Sequence, residues 1–463
     1  MNLGDVMSIG RNGLNAASHG SQVASQNISN ATTPGYSRRV ANFEPVPLEQ
    51  GGGVRATSTT RVNDQFLERR GLSARAYTGE GEGKVRTLAV LDTVFADGQG
   101  SVGEALDAFD SALTDVANQP NSSTARQMLF VRADGLTQAF HRADEAMNTA
   151  RTEANGRITT AIHDVNNQLD EIGSLNAQIV AGKNVRQDVG DLEDRRDELI
   201  RGIATQMPIN VLPDDSGAVT VMLSGARTLV GADAQVHHLL TGMNSTSGAV
   251  TVQRETNGAL EDITSFFTSG NIGGTIAARD GALADAQKNL DQLAFDLTSA
   301  FNTQHALGVG LDGVTGRNLF TPTATATGAA AGFGLSSDVA GQPQNLAAAR
   351  DTTSLPGDNR NALALVGLRD QKIGLGGTAT AQQAFSSMVA GGGAAARGAQ
   401  DQLDHASASL SQVEALRDAA AGVSTDEEMM NLMKFQRAYQ ASLRVIETAD
   451  AMLSDLLNMR FGG

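Results

Sequence analysis

A few groups of polar side chains have the residue types that bind metals or transfer protons. His237 and His238 form the only adjacent histidine pair, but neighbouring residues of a regular strand point to opposite faces, so both cannot bind one metal ion. Asp214 and Asp215 lie in a predicted hairpin turn, and no other carboxylate is visibly paired with them for acid–base chemistry. Asp312 begins a stretch that resembles part of a calcium loop without completing its pattern. We therefore expect no catalytic residue, no metal site and no cofactor.

The composition disfavours nucleic acids and membranes as partners. The 463 residues include 35 basic and 51 acidic side chains, for a net charge of −16, and such a chain is repelled by nucleic acids and acidic membrane surfaces. The absence of cysteine excludes disulfides, thiolate zinc sites and cysteine nucleophiles. No apolar run of about 18 residues is present, so we expect no insertion into a membrane. The first residues lack the regions of a cleaved signal peptide, so we expect a cytoplasmic protein or export by a route without one.

The element that the sequence defines best is a long C-terminal helix. The residues from Ser424 to Glu427 have the form of a capping box, and no Gly or Pro occurs from there to Met459. Since an isolated helix is only marginally stable in water, this one needs a packing partner. Its apolar positions repeat in steps of three and four, the spacing of a coiled-coil seam with one polar member: Leu432, Phe435, Tyr439, Ser442, Ile446, Ala449, Leu453 and Leu456.

A second stripe with the same spacing lies at the other end of the chain, but half of its members are small. The stripe consists of Leu3, Met7, Gly10, Leu14, Ala17, Ser21, Ala24 and Ile28. Small side chains permit a close approach of two helices and bury little apolar surface by themselves. The pattern is compatible with an ordinary amphipathic helix, or with the packing partner of the C-terminal helix.

Between the two ends, the hydrophobic period changes from helical to extended and back. Helical spacing is present in much of the chain up to about residue 205, and it returns near residue 274. Alternating residues around a Pro-Asp-Asp-Ser-Gly turn predict strands between them. We expect a mainly α fold with a β-rich insertion in a nested, multidomain architecture. Its parts are 1–60 with 424–463 as a terminal coiled coil; 61–205, 270–307 and 357–423 as a helical bundle; 206–269 as a small outer β domain; and 308–356 as an irregular insertion.

Five motifs in order resemble the axial proteins of the bacterial flagellum. The first covers residues 24–38, with Asn27 and Asn30 followed by Pro34, Gly35 and Tyr36, and its Pro-Gly-Tyr-Ser-Arg ending is most similar to the hook-associated protein 1 family. The family's Arg-x-x-Asp-Gln-Phe-Leu motif matches residues 61–67. Further similar stretches lie at residues 191–199, 300–308 and 435–442. Residues 206–265 and 308–356 carry little resemblance.

The resemblance implies a structural protein that self-assembles and joins the flagellar hook to the filament. It implies export in an unfolded state by the flagellar type III system, without a cleaved signal, to an extracellular position at the hook–filament junction. The implied partners are other copies in a ring or helical layer, the hook protein below, a second hook-associated protein above, and an export chaperone on the C-terminal helix. The assembly residues would be Leu3, Met7, Leu14, Ile28, Leu432, Phe435, Tyr439, Ile446, Leu453 and Leu456.

Two other functions remain open from the sequence. A hook or rod protein would have the same termini, although the Pro34-Gly35-Tyr36 ending argues against it. An adhesin or an enzyme carried on an axial scaffold would place its activity in the β-rich insertion.

Overall fold

A computed structural model shows a mainly α protein with three small antiparallel sheets. It describes residues 3–33, 35–95, 98, 100–256 and 258–461. The helices are α1 (Leu3–Ser29), α2 (Gln65–Val94), α3 (Val102–Asn118), α4 (Ser123–Asn184), α5 (Gly190–Gln206), α6 (Gly270–Asp280), α7 (Ala282–Ala306), α8 (Arg360–Val366), α9 (Ala381–Ala421) and α10 (Thr425–Phe461). The strands are β1 (Arg39–Pro45), β2 (Val54–Arg61), β3 (Ile209–Pro213), β4 (Val219–Leu223), β5 (Arg227–Val230), β6 (Leu239–Met243), β7 (Val250–Thr256) and β8 (Ala259–Asp262). The predicted fold class, mainly α with a β-rich insertion, is confirmed.

The two ends of the chain pack on each other. Helix α10 lies antiparallel along α1, and the β1–β2 hairpin covers part of α1. We call α1, β1, β2 and α10 the terminal module, and residues 65–421 the body.

The helices of the body share one large apolar cluster. Phe109 of α3, Phe140 of α4 and Phe301 of α7 are buried in it, because each helix carries an apolar stripe at helical spacing. The predicted irregular segment 308–356 contains no α-helix among its described residues. Its Phe320 and Phe333 nevertheless belong to the same cluster, with ring centroids 4.7 Å apart. This segment is therefore part of the core, although it has no hydrophobic period.

The β-rich region forms two three-stranded sheets, ordered β3-β4-β5 and β6-β7-β8. Strand β3 pairs with β4 from Ile209 opposite Leu223 to Pro213 opposite Val219, as the predicted hairpin requires. The inner faces of both sheets share a cluster with one side of α4, including Val165 and Leu169. The sheets therefore take their core from the long helix.

Candidate assembly interface

Helices α1 and α10 approach each other closely because glycines of α1 face large side chains of α10. A Cβ atom built at Gly10 would lie 2.6 Å from Cγ1 of Ile446, and one at Gly20 would lie 2.5 Å from Cε1 of Phe435. Separations below about 3 Å are shorter than van der Waals contact. The apolar side chains of α10 therefore fill the space that side chains at these glycines would need.

The polar member of the α10 seam also faces a glycine. A Cβ atom at Gly13 would lie 2.7 Å from Oγ of Ser442. A small polar side chain here interrupts the apolar seam where the helices are close. Polar residues at seam positions favour one register of a coiled coil at some cost in stability.

The β1–β2 hairpin fixes the outer side of α1. Asn12 Nδ2 donates to the carbonyl of Gly52 at 2.9 Å, and Ser8 Oγ donates to the carbonyl of Gly51. Phe43 of β1 packs against Phe435 with ring centroids 5.7 Å apart. The hairpin thus holds the Phe435 ring from one side while Gly20 faces it from another.

The motif at the end of α1 is organised around Asn27, which is fully buried. Its Nδ2 donates to the Arg39 carbonyl at 2.8 Å, and its Oδ1 accepts from the Arg39 amide at 3.0 Å. The Tyr36 hydroxyl donates to the same Oδ1 at 2.8 Å. Burial raises the pKa of Tyr36 to about 12, so this hydroxyl remains a donor at neutral pH. Asn27 therefore ties the end of α1 to the start of the hairpin.

Two arginines connect the hairpin to the acidic first turns of α5. Arg39 pairs with Asp191 and Asp194, and Arg61 lies 2.9 Å from Asp194 and 2.8 Å from Asp197. The arginine side chains are only 3% and 10% exposed, so their charges require partners. These ion pairs join the terminal module to the body. We call the set the ionic clamp: Arg39, Arg61, Asp191, Glu193, Asp194 and Asp197.

Burial and opposite charge compete in the ionic clamp. Burial opposes the charge of Arg61, but Asp197 and Asp194 outweigh it and raise its pKa. At Asp194, burial raises the pKa although Arg61 and Arg39 lower it. The guanidinium of Arg61 is therefore well compensated, whereas the carboxylate of Asp194 still bears part of the cost of burial.

Several large apolar side chains of α10 are exposed to solvent. Eight large apolar side chains of this helix are between 37% and 60% exposed. They are Met429, Met430, Met433, Leu443, Val445, Met452, Leu453 and Leu456. Leu453 and Leu456 continue the seam, whereas Met430 and Met433 lie on the side of the first turns that faces away from Phe435. Contiguous exposed apolar surface often marks a site of protein–protein contact.

Comparison with known proteins identifies the family. A family model described as the flagellar hook-associated protein FlgK helical domain matches residues 88–320, which is half of the chain. The chain belongs to the FlgK family. A second model, for the C-terminal region of flagellar basal body rod FlgEFG proteins, matches residues 418–459, so the terminal segment is of a kind shared with rod proteins.

Relatives in the FlgK family match along almost the whole chain. Flagellar hook-associated protein 1 of Bacillus subtilis is 26% identical over 496 residues, covering 98% of both chains. That of Escherichia coli is 23% identical over 537 residues, covering 97% of this chain and 98% of the relative. The solved structure of the flagellar hook junction protein FlgK from Burkholderia pseudomallei has a TM-score of 0.68 at 17% identity. It covers 76% of this chain and 99% of that chain, which supports the fold.

The structure places most of the expected assembly residues along the α1–α10 contact of this FlgK family member. Six apolar members are partly buried there at seam positions: Leu3, Met7, Leu14, Leu432, Phe435 and Ile446. Ile28 and Tyr439 are also partly buried. By contrast, Leu453 is 38% exposed and Leu456 is 57% exposed. The pairing of Gly10 with Ile446 places the start of α1 near Leu453, so Leu456 lies beyond the contact with α1.

The family motif residues have distinct local roles. Asn30 Nδ2 donates to the carbonyl of Gln26 at 3.0 Å and closes the end of α1. Gly35 has a φ of 82°, a value that glycine adopts without strain. Its neighbour Pro34 lies outside the described residues. Tyr36 stacks near the Arg39 guanidinium, 5.2 Å from ring centroid to Cζ.

Sequence reasoning missed the ionic clamp and two of the glycines. Gly13 and Gly20 lie off the chosen stripe of α1, and their spacing from Gly10 was the available signal. Residues 191–198 are densely charged, but the partners Arg39 and Arg61 lie more than a hundred residues earlier. The ends of β1 and β2 had to be known before the two arginines could be placed together.

Three of the polar groups considered for chemistry have local polar partners. His238 Nε2 lies 2.8 Å from a carboxylate oxygen of Asp170, Asp214 accepts a hydrogen bond from the backbone of its own turn, and Asp312 pairs with Arg317 at the surface. Within the described ranges, no three His, Asp or Glu side chains are arranged to hold a metal ion. No helix in the same ranges has the length and apolar content needed to cross a membrane.

Proposed function

We propose that this chain is a self-assembling structural subunit that joins the flagellar hook to the filament. Membership of the FlgK family supports this function, since the relatives are named flagellar hook-associated protein 1. The solved relative is called a flagellar hook junction protein. The match of residues 88–320 to the FlgK helical domain favours this function over that of a hook or rod protein.

The observation that carries the proposal is that α10 exposes large apolar side chains in addition to those that face α1. One side faces α1 through Phe435 and Ile446, and the other side exposes Met430 to 60% and Met433 to 47%. In the assembled structure, neighbouring copies cover the second side. Copies packed in this way form a ring or a helical layer in which the terminal helices lie together.

Each part of the chain has its own place in this function. Residues 1–60 and 424–463 form the terminal assembly domain. Residues 61–205, 270–307 and 357–423 form the helical domain, residues 206–269 its β-rich insertion, and residues 308–356 its irregular insertion. The assembly residues on α1 are Leu3, Met7, Leu14 and Ile28, and those on α10 are Leu432, Phe435, Tyr439, Ile446, Leu453 and Leu456.

The position in the flagellum sets the remaining partners. The subunit reaches the outside of the cell through the flagellar type III system, unfolded and without a cleaved signal. An export chaperone covers the apolar surface of α10 before export. The hook protein lies below the assembled layer, and a second hook-associated protein lies above it.

Deletion and complementation test the proposal. A strain lacking the gene keeps its hooks and loses its filaments, and the full chain restores them. A chain ending at Gly422 does not restore filaments, because it lacks α10. Restored motility with this truncated chain would contradict the assembly role of the terminal helix.

Two matched substitutions separate the apolar side of α10 from general surface effects. Met430→Glu adds a charge to the exposed side of α10, and we expect loss of filaments. Met243→Glu makes the same change in the β-rich insertion, at a side chain that is 71% exposed, and we expect normal filaments. Normal filaments and motility in both variants would show that the exposed side of α10 at Met430 is not an interface.

A further inference from the structure

The terminal module and the body share no apolar core in the part of the chain that the structure describes. Among the described residues, the buried apolar clusters draw their members from the body alone. Phe43 and Phe435 contact each other inside the terminal module. Apolar packing therefore stabilises each part separately and does little to fix one part against the other.

The chain crosses between the two parts without regular structure. The crossings are residues 62–64 and 422–424, and neither of them lies in a helix or a strand. Gly422 has extended backbone angles, with φ −71° and ψ 163°, so α9 and α10 are not one continuous helix. A continuous helix would set the angle between the parts, whereas irregular crossings leave it to side-chain contacts.

The ionic clamp lies beside the crossing at residues 62–64, because Arg61 is the last residue of β2 and Arg39 pairs with it at the start of β1. Arg39 and Arg61 are directly opposite each other in the β1–β2 register. Like charges at such positions repel each other, so carboxylates of the body are needed between and around them. Asp194 contacts both guanidiniums. Gly190 leaves room for this arrangement, since a Cβ atom there would lie 2.9 Å from Cζ of Arg39.

We propose that the ionic clamp is a latch that sets the angle between the terminal module and the body. Opening the latch frees the terminal module to tilt as a folded unit. While its ion pairs are formed, the clamp holds the two parts in a defined geometry. When the ion pairs break, the two parts separate there without exposing an apolar core. This role is independent of the place of the protein in the flagellum.

Distance measurements between spin labels test the latch. Because the chain has no cysteine, the labels attach only to the cysteines that are introduced. One pair, Asn15→Cys with Ala177→Cys, spans the joint from α1 to α4. A second pair, Asn15→Cys with Glu447→Cys, lies inside the terminal module. All three positions are exposed. Over the roughly 21 Å of helix from Asn15 to Ser29, a tilt of about 20° moves the label by about 7 Å.

The latch is opened from either side. Arg39→Gln with Arg61→Gln removes the charges of the hairpin. Asp194→Asn with Asp197→Asn removes charges of α5 and leaves every residue of the terminal module unchanged. Arg75→Gln is the control, because Arg75 pairs with Glu414 between α2 and α9, inside the body.

The expected result is a broader, shifted distance distribution for the joint-spanning pair in both clamp variants. The pair inside the terminal module keeps its narrow distribution, and the Arg75→Gln control matches the unsubstituted protein. An unchanged joint distribution in the α5 variant would overturn the proposal. So would a broad distribution for the internal pair in the unsubstituted protein, since a latch needs two folded parts.

Discussion

A methyl group added at Gly20 tests the close packing of the terminal helices. The added Cβ atom of Gly20→Ala would lie 2.5–2.7 Å from three carbon atoms of the Phe435 ring. The ring cannot move freely, because Phe43 packs against it at 5.7 Å between centroids. Overpacking of this kind costs about 1–3 kcal/mol. Replacing glycine by alanine inside a helix gains about 1 kcal/mol, so we expect no net stabilisation and a loss of up to about 2 kcal/mol.

Gly156→Ala is the matched control. Gly156 lies inside α4, is exposed, and has no atom within 4 Å of an added Cβ. It therefore gains the full helix preference, about 1 kcal/mol. The two variants differ by about 1–3 kcal/mol, or a factor of about 5–150 in the local opening equilibrium at about 1.4 kcal/mol per factor of ten.

Native-state hydrogen exchange measures these local equilibria in a chain of several cooperative units. We expect the amides around residue 20 to exchange at the same rate or faster in Gly20→Ala, and those around residue 156 to exchange more slowly in Gly156→Ala. In a Phe435→Ala background, Gly20→Ala becomes stabilising, because the ring is gone. Slower exchange of α1 in Gly20→Ala, equal in size to the effect in the control, would refute the close-packed pair.

Three further predictions concern single polar residues. Burial raises the pKa of Asp110 to about 6, so its charge costs stability as pH rises through the range from about 4 to 6. Asp110→Asn is expected to stabilise the body at pH 8 by about 1–3 kcal/mol and by about half of that at pH 5, as measured by thermal unfolding. Burial lowers the pKa of His305, and its neutral Nε2 accepts a hydrogen bond from the Ala347 amide at 2.9 Å. The stability that this bond contributes above about pH 6.5 is lost as pH falls. Hydrogen exchange of the Ala347 amide is therefore expected to become faster at lower pH in the unsubstituted protein but not in His305→Asn. Asn27→Ala leaves buried groups without partners and is expected to destabilise the end of α1 by about 2–4 kcal/mol, as measured by hydrogen exchange. Asn42→Ala in the exposed part of the hairpin is expected to change the same stability by only a few tenths of that amount.

The pairing of the chain ends could be predicted because its signals are local. The spacing of Phe435 and Ile446 defines one side of α10, and the small residues of α1 indicate a close partner. The extent of the contact was not predictable from period alone. It depends on the register, and in the register with Gly20 at Phe435, α10 continues beyond the start of α1.

The ionic clamp depends on contacts that sequence spacing does not encode. Arg39 and Arg61 become neighbours only through the register of β1 and β2. Their partners on α5 follow after more than a hundred residues, and the charge pattern of α5 alone is compatible with an ordinary solvated helix face.

The position of the irregular segment, residues 308–356, could not be predicted from the sequence for a different reason. It has no hydrophobic period, so the sequence gives no reason to place Phe320 in the core. The backbone is held instead by polar side chains of α7. Asn302 Oδ1 accepts from the Leu319 amide at 2.9 Å and from the Phe320 amide at 2.8 Å. These contacts give a physical role to the motif at residues 300–308, which the resemblance identified without explaining.

The central claim is that this chain is the subunit between hook and filament, and its location in intact flagella tests that claim most directly. Immunogold electron microscopy with an antibody against the β-rich insertion is the measurement. We predict label in a narrow band at the distal end of the hook, at the base of the filament. Label distributed along the hook, or in the rod, would contradict the claim and assign the chain to another part of the flagellar axis.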